Sequence, residues 1–237
     1  VSAAWLTAMM MFMVSFWGLS RLTIERDIPA APSTSFVDQL VAGFRHLLGR
    51  SDLRLLLALT ALNGLLGRTI IELLPALSGQ VLQGGSAELA VLVAMAGLGS
   101  VLGGLLVSRQ AADLARLMVL VCAAIMLAGL ALISLQWFAG LVGLALWVSM
   151  LSVVTTVAGT GSQTLIQLTA SAEYRGRVMS VWTMLAMGAP ALGAALLGAG
   201  VDGFGFSRVA IWTGGAGIVL VIGLYARRSR VLAGSDP

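Results

Sequence analysis

The chain has 237 residues, of which 59% are hydrophobic and only 10% charged, against about 45–50% apolar and about 25% charged in an ordinary soluble domain. So little charge cannot coat a globule of this size, which excludes a soluble enzyme and a disordered protein and points to an all-α polytopic membrane protein. All 14 basic residues are arginine, set against 10 acids for a net charge of +4. In a chain this apolar they mark topology, and nucleic acid is not expected as a partner.

Seven stretches reach or approach the ~20 apolar residues needed to cross a bilayer: roughly 2–20, 53–77, 88–108, 115–135, 138–168, 177–200 and 207–226. The first lacks a basic leader region and a cleavage site, so it does not read as a signal peptide. Residues 21–52 then form a long connection. Pro29 and Pro32 break the chain, Ser35 can cap a helix with Asp38 as its third residue, and Phe36, Val37, Leu40, Val41, Phe44, Leu47 and Leu48 recur at helical spacing. An amphipathic helix over about 36–49 is expected, either lying on the membrane surface or packed on the bundle. It holds His46, the single histidine, so no histidine-based metal site is expected. The single cysteine, Cys122, admits no disulfide within the chain.

The second stretch carries Asn63, Arg68 and Glu72. Taken as one helix over 53–77, its midpoint lies near residue 65. Arg68 then sits about 5 Å and Glu72 about 10 Å outward of centre, on one face. A lone charge at such depth costs about 2.5–3.5 kcal/mol on insertion scales. The pair is read either as lining a substrate or proton pathway, with Glu72 as the proton carrier, or as a structural ion pair. Pro75 is expected to kink or end this helix. In the third stretch Gly99 and Gly103 make a small-xxx-small surface for close helix contact. The fifth is too long for one crossing, and its polar end (Ser162, Gln163, Thr164, Gln167) is expected to tilt or to extend past the lipid. The sixth carries Gly188, Pro190 and Gly193, for tight packing or as a slidable, hinged interface.

Two turns hold compact charge clusters: Arg109 with Asp113 and Arg116, and Glu173 with Arg175 and Arg177. Arg175 and Arg177 are read as following a helix C-terminus, where cations gain from the dipole. They belong to a wider pattern. Twelve arginines fall in loops that alternate onto one side, while Arg208 falls on the other and Arg68 inside a stretch. The positive-inside rule places the twelve, and the C-terminus, in the cytoplasm. Seven crossings then put residue 1 outside, which leads to the expectation of a C-terminal part of a longer protein or a truncated gene product. No catalytic group is expected. Paired Asp and His residues are missing from the spans, there is no lysine for a retinal Schiff base, and Gly84-Gly85 and Gly214-Gly215 lack the rest of a P-loop.

The run from Gln163-Thr164-Leu165-Ile166-Gln167 through Glu173-Tyr174-Arg175-Gly176-Arg177-Val178-Met179-Ser180 to Gly188-Ala189-Pro190-Ala191-Leu192-Gly193 resembles the tenth and eleventh helices of major facilitator superfamily transporters. The nearest branch is the efflux one containing the enterobactin exporter and macrolide pumps. Leu73-Leu74-Pro75-Ala76 and Gly97-Leu98-Gly99-Ser100-Val101-Leu102-Gly103 resemble its seventh and eighth helices. The family fold has two six-helix halves with the site between them. The resemblance therefore makes 1–20 the sixth helix, 21–52 the inter-half loop, 53–227 the C-terminal six-helix half and 228–237 a cytoplasmic tail. Gly104 to Arg109 keeps part of the family's Gly-x-x-x-Asp-Arg-x-Gly-Arg-Arg loop, with Ser108 where the Asp belongs.

The resemblance implies a secondary transporter of the plasma (inner) membrane that exports a small organic molecule, such as a drug or siderophore, against protons. Its partners would be lipid, substrate, protons and an N-terminal half, and it would use no cofactor. Arg68 and Glu72 would face the cavity, and the two charge clusters would form the cytoplasmic gate. The alternative is a non-transporting scaffold, sensor or pseudotransporter fragment.

Overall fold

The computed structural model describes residues 2–21, 47, 49–82, 84–138 and 140–233. They are almost entirely helical, and no strand occurs among them. The chain divides into two units, Val1–Asp38 and Gln39–Pro237. In the first, α1 spans Ser2–Ser20 and is apolar on every side, as suits a helix surrounded by lipid. It closes with the Ser20 hydroxyl donating to the Trp17 carbonyl at 2.8 Å and the Arg21 guanidinium 4.8 Å over the Trp17 ring. The amphipathic helix expected over 36–49, with Ser35, Asp38, Arg45 and His46, lies outside the described residues apart from Leu47 and Gly49.

The second unit contains six helical spans long and apolar enough to cross a membrane. The first is broken: α2 (Ser51–Asn63) runs into a π turn (Gly64–Arg68), a short α3 (Thr69–Glu72) and, beyond Leu73, α4 (Leu74–Val81). The others are α5 (Ser86–Gln110), α6 (Leu114–Ser134) with a 3₁₀ turn (Leu135–Trp137), α7 (Gly140–Thr169), α8 (Arg175–Phe204) and α9 (Phe206–Ala233). The helix of the last span continues through the basic cluster at 227–230, so the tail expected from residue 228 is helical as far as Ala233.

Local chemistry sets the ends. Glu88 accepts from the Gly85 amide at 2.8 Å at the start of α5. The Asp113 carboxylate caps α6 by accepting from the Ala115 and Arg116 amides, each at 3.0 Å. Gly205, with φ +79° and ψ 153°, turns α8 into α9, a conformation in practice reserved for glycine.

The core centres on α7, which packs against α5, α6 and α2, while α9 packs against α6 and the π turn against α8. Close approach rests on glycine. A Cβ on Gly99 would run into the Ser149 carbonyl, and one on Gly103 would lie 2.7 Å from the Val153 carbonyl. Across α6 and α9, a Cβ on Gly129 would lie 2.9 Å from the Gly214 carbonyl. Some buried hydroxyls turn to their own helix: Thr60 donates to the Leu56 carbonyl at 2.9 Å and Ser162 to Ala158 at 2.6 Å, whereas those of Ser78 and Ser152 have no partner among the described residues. Lipid offers no hydrogen bonds, so internal pairing of this kind is favoured. The Trp147 indole, fully buried, donates to the Ala131 carbonyl at 2.9 Å and ties α7 to α6. Leu98, Val101, Leu102 and Leu105 of α5 and Met184, Leu192 and Leu196 of α8 point outward, as suits helices bathed in hydrocarbon.

Candidate functional site

The sequence makes the first span polar at three places, and the structure separates them. Asn63 is buried, with its amide nitrogen donating to the Thr155 carbonyl of α7 at 3.3 Å and its amide oxygen without a partner. Arg68 and Glu72 lie on another face. The Arg68 Nε donates to Glu72 Oε1 at 3.1 Å, and both side chains are about half exposed (55% and 53%). The pair ends a stripe along which the span is least covered: Leu55, Ala58, Ala61 and Leu65, then Arg68 and Glu72. Asn63 therefore does not share a face with the pair.

Depth is corrected as well. The uninterrupted span is Ser51–Glu72, not 53–77. Leu73 leaves the helical region at φ −91° and ψ 7°, and Pro75 occupies the first turn of α4, where its missing N–H costs nothing. The span's midpoint thus moves to between residues 61 and 62. Arg68 lies about 10 Å from it and Glu72 about 16 Å, at the edge of a hydrocarbon core some 30 Å thick. Glu72 is the last residue of this 22-residue span, and a half-exposed ion pair of this kind is inexpensive.

Sequence reasoning missed the π turn that precedes the pair. Thr69 closes it, its N–H bonding back five residues to the Gly64 carbonyl and its hydroxyl donating to the same oxygen at 2.8 Å. Glycines let neighbours close on it. A Cβ on Gly64 would lie 2.8 Å from Ala189 Cβ and 3.1 Å from Pro190 Cδ, and one on Gly67 would strike Thr155. A Cβ on Gly193 would strike the Thr69 hydroxyl, and one on Gly217 the Leu66 side chain. Pro190, inside the continuous helix α8, is buried at this contact, whereas Gly188 faces open space. The available signal was Gly64 and Gly67 placed just before a polar pair in an otherwise leucine-rich helix.

At the arginine-rich end, Asp113 pairs with Arg116 Nε at 3.0 Å while capping α6. Arg109 lies in the last turn of α5. Arg177 lies 5.3 Å over the Tyr174 ring. Among the described residues no ion pair joins Glu173 to Arg175 or Arg177. The dipole argument for these two arginines is overturned: α7 ends at Thr169, and Arg175 and Arg177 open α8, at the end where cations are disfavoured.

Among the described residues there are thus six apolar spans, a polar break in the first of them and charged turns between others. The sequence matches the family described as transmembrane secretion effector, of the major facilitator superfamily, over residues 1–234. The chain belongs to this family. A search of curated proteins gives no match. Membership makes the chain a multi-pass membrane protein of a transporter family rather than of an enzyme class. In this chain, α2 through α9 supply six spans among the described residues, and the Arg68–Glu72 pair lies on the open side of the first.

Proposed function

We propose that the protein carries out proton-coupled efflux of a small organic molecule, such as a drug or siderophore, across the inner membrane, with its C-terminus in the cytoplasm. The observation that carries this is the Arg68–Glu72 pair, two half-exposed opposite charges 3.1 Å apart on the open stripe of an otherwise apolar span. In this reading Glu72 is the proton carrier. Protonation removes its attraction to Arg68 and frees the guanidinium to meet a polar substrate. Asn63 supports the pathway from the buried side, through α7. The family fold faces this half with another six-helix half across the site.

The charged turns serve as the cytoplasmic gate. Asp113 with Arg116, beside Arg109, holds one turn, and Glu173, Arg175 and Arg177 line the other. Gly99 and Gly103 keep α5 against α7, while Gly188, Pro190, Gly193 and Pro75 supply the places where helices bend or slide.

Everted membrane vesicles containing the full-length protein test this. A pH gradient is imposed, and its collapse on adding each compound of a drug and siderophore panel is followed with a fluorescent dye. Glu72→Gln is expected to abolish compound-dependent collapse, and Glu72→Asp to retain part of it. A half-exposed pair contributes only about 0–1 kcal/mol to stability, so the variant remains folded. Unchanged collapse in Glu72→Gln would refute the assignment.

A further inference from the structure

We propose that the wide turn at Gly64–Arg68 is a two-position register switch, held in its present form by the Thr69 hydroxyl, that turns the Arg68–Glu72 pair about the helix axis. A π turn holds one residue more than the α turn it replaces. Closing it to an α turn would rotate everything beyond by about 100° and advance it by about 1.5 Å.

The two forms differ in where backbone carbonyls point. In the present form the Thr69 N–H reaches Gly64, five residues back. The Leu65 carbonyl, the partner an α turn would use, is turned toward α8, 3.1 Å from where a Cβ on Gly193 would stand. Only glycine at 193 leaves room for that carbonyl and for the Thr69 hydroxyl together.

That hydroxyl has one proton and two acceptors. Gly64 O of its own helix lies at 2.8 Å, and Pro190 O of α8 at 3.4 Å. Bonding to Gly64 O clamps the turn wide. Bonding to Pro190 O releases that clamp and ties the far segment to α8 instead. A single donor shared between two acceptors, on a turn with two hydrogen-bonding registers, is a bistable element of the kind through which packed helices switch. The segment it turns is short, because the helix breaks again at Leu73. Its exposed residues are Arg68 and Glu72.

The readout is side-chain exposure, so the switch stands or falls apart from what is transported. Single cysteines are placed in turn at positions 54–61, 68 and 70–73 of the full-length protein with Cys122→Ala. Their labelling by a membrane-impermeant maleimide is measured in native membranes. Beyond the turn, the starting protein is expected to label fastest at 68 and 72. Thr69→Val, which keeps the shape and removes the proton, is expected to shift the maxima beyond the turn by one residue while 54–61 stay unchanged. Thr69→Ser is expected to restore the pattern.

A Thr69→Val pattern identical to the starting one, or a Thr69→Ser pattern like that of Thr69→Val, overturns the switch. Deleting Leu65 guards against a variant that fails to fold. It shortens the turn to an α turn with the downstream facing preserved, so the maxima stay in place and adding Thr69→Val changes nothing. A one-residue shift in that double variant overturns the proposal too.

Discussion

Replacing Gly99 by alanine tests whether α5 and α7 meet through their backbones. The added methyl would fall on the Ser149 carbonyl and lie 2.9 Å from Ser152 Cβ. A carbonyl inside a helix cannot rotate away, so the two helices must part by roughly 1 Å. Overpacking of this kind costs about 1–3 kcal/mol, and a rigid obstacle places Gly99→Ala at the upper end. Alanine recovers up to about 1 kcal/mol of helix propensity, leaving a net loss near 1–2 kcal/mol. Gly103→Ala meets the Val153 carbonyl at 2.7 Å and should cost about the same. The two lie one turn apart on the same contact, so the double variant should lose less than the sum of the singles. Gly97 and Gly104 of the same helix have nothing within 4 Å, and their alanine variants are the controls. The assay is thermal unfolding in detergent, followed by size-exclusion fluorescence. At about 2–4 °C per kcal/mol for a unit of this size, Gly99→Ala should melt about 2–8 °C below the unsubstituted protein, and Gly97→Ala no lower than it. Equal melting points would show that the helices do not touch there and would refute the contact geometry.

Other changes follow from single observations. Asp113→Ala removes the cap of α6 and should lower stability by about 1 kcal/mol, most of which Asp113→Asn recovers; thermal melts of the three proteins decide it. Trp147→Phe deletes the buried bond to Ala131 and should cost about 1–3 kcal/mol, read as a loss of resistance to denaturing detergent. Gly205→Ala, at φ +79° with open space for the methyl, should cost about 1–3 kcal/mol through backbone strain alone. A Gly205→Ala protein as stable as the parent would place that residue in an ordinary conformation.

The spans were legible because apolar runs and arginine-bearing turns are set by transfer energies, which depend on composition and little on packing. The stretch expected at 88–108 is the helix Ser86–Gln110, and that at 115–135 is Leu114–Ser134 with its 3₁₀ turn. The depth of Glu72 was not legible, for a local reason. Leu73 and Leu74 are apolar, so hydropathy runs straight through the break, while the backbone stops at Leu73 because Pro75 starts a new helix. The arginines at 175 and 177 were assigned to the wrong helix end because Ala170 to Tyr174 leave no sharp boundary in composition. The facing of Asn63 depends on Thr155, 92 residues away, and no local pattern carries that information.

The two breaks around the polar pair have a joint consequence that neither has alone. Arg68 ends the π turn, and Glu72 ends the short helix that follows it, just before Leu73. A helix transmits position along its axis through its ladder of hydrogen bonds, and here the ladder changes register on one side and is distorted at Leu73, ahead of Pro75, on the other. The piece is therefore placed mainly by what it touches sideways. Thr69 meets Gly64 and Pro190, and Ile70 is buried in the core. Short helical pieces with few bonds of their own open at lower free energy than the long helices around them. The charged pair thus rests on the segment of the bundle most easily moved, while α7 beside it is an uninterrupted helix of 30 residues. A charged pair on such a segment, against a rigid helix, can change its exposure without unfolding its surroundings.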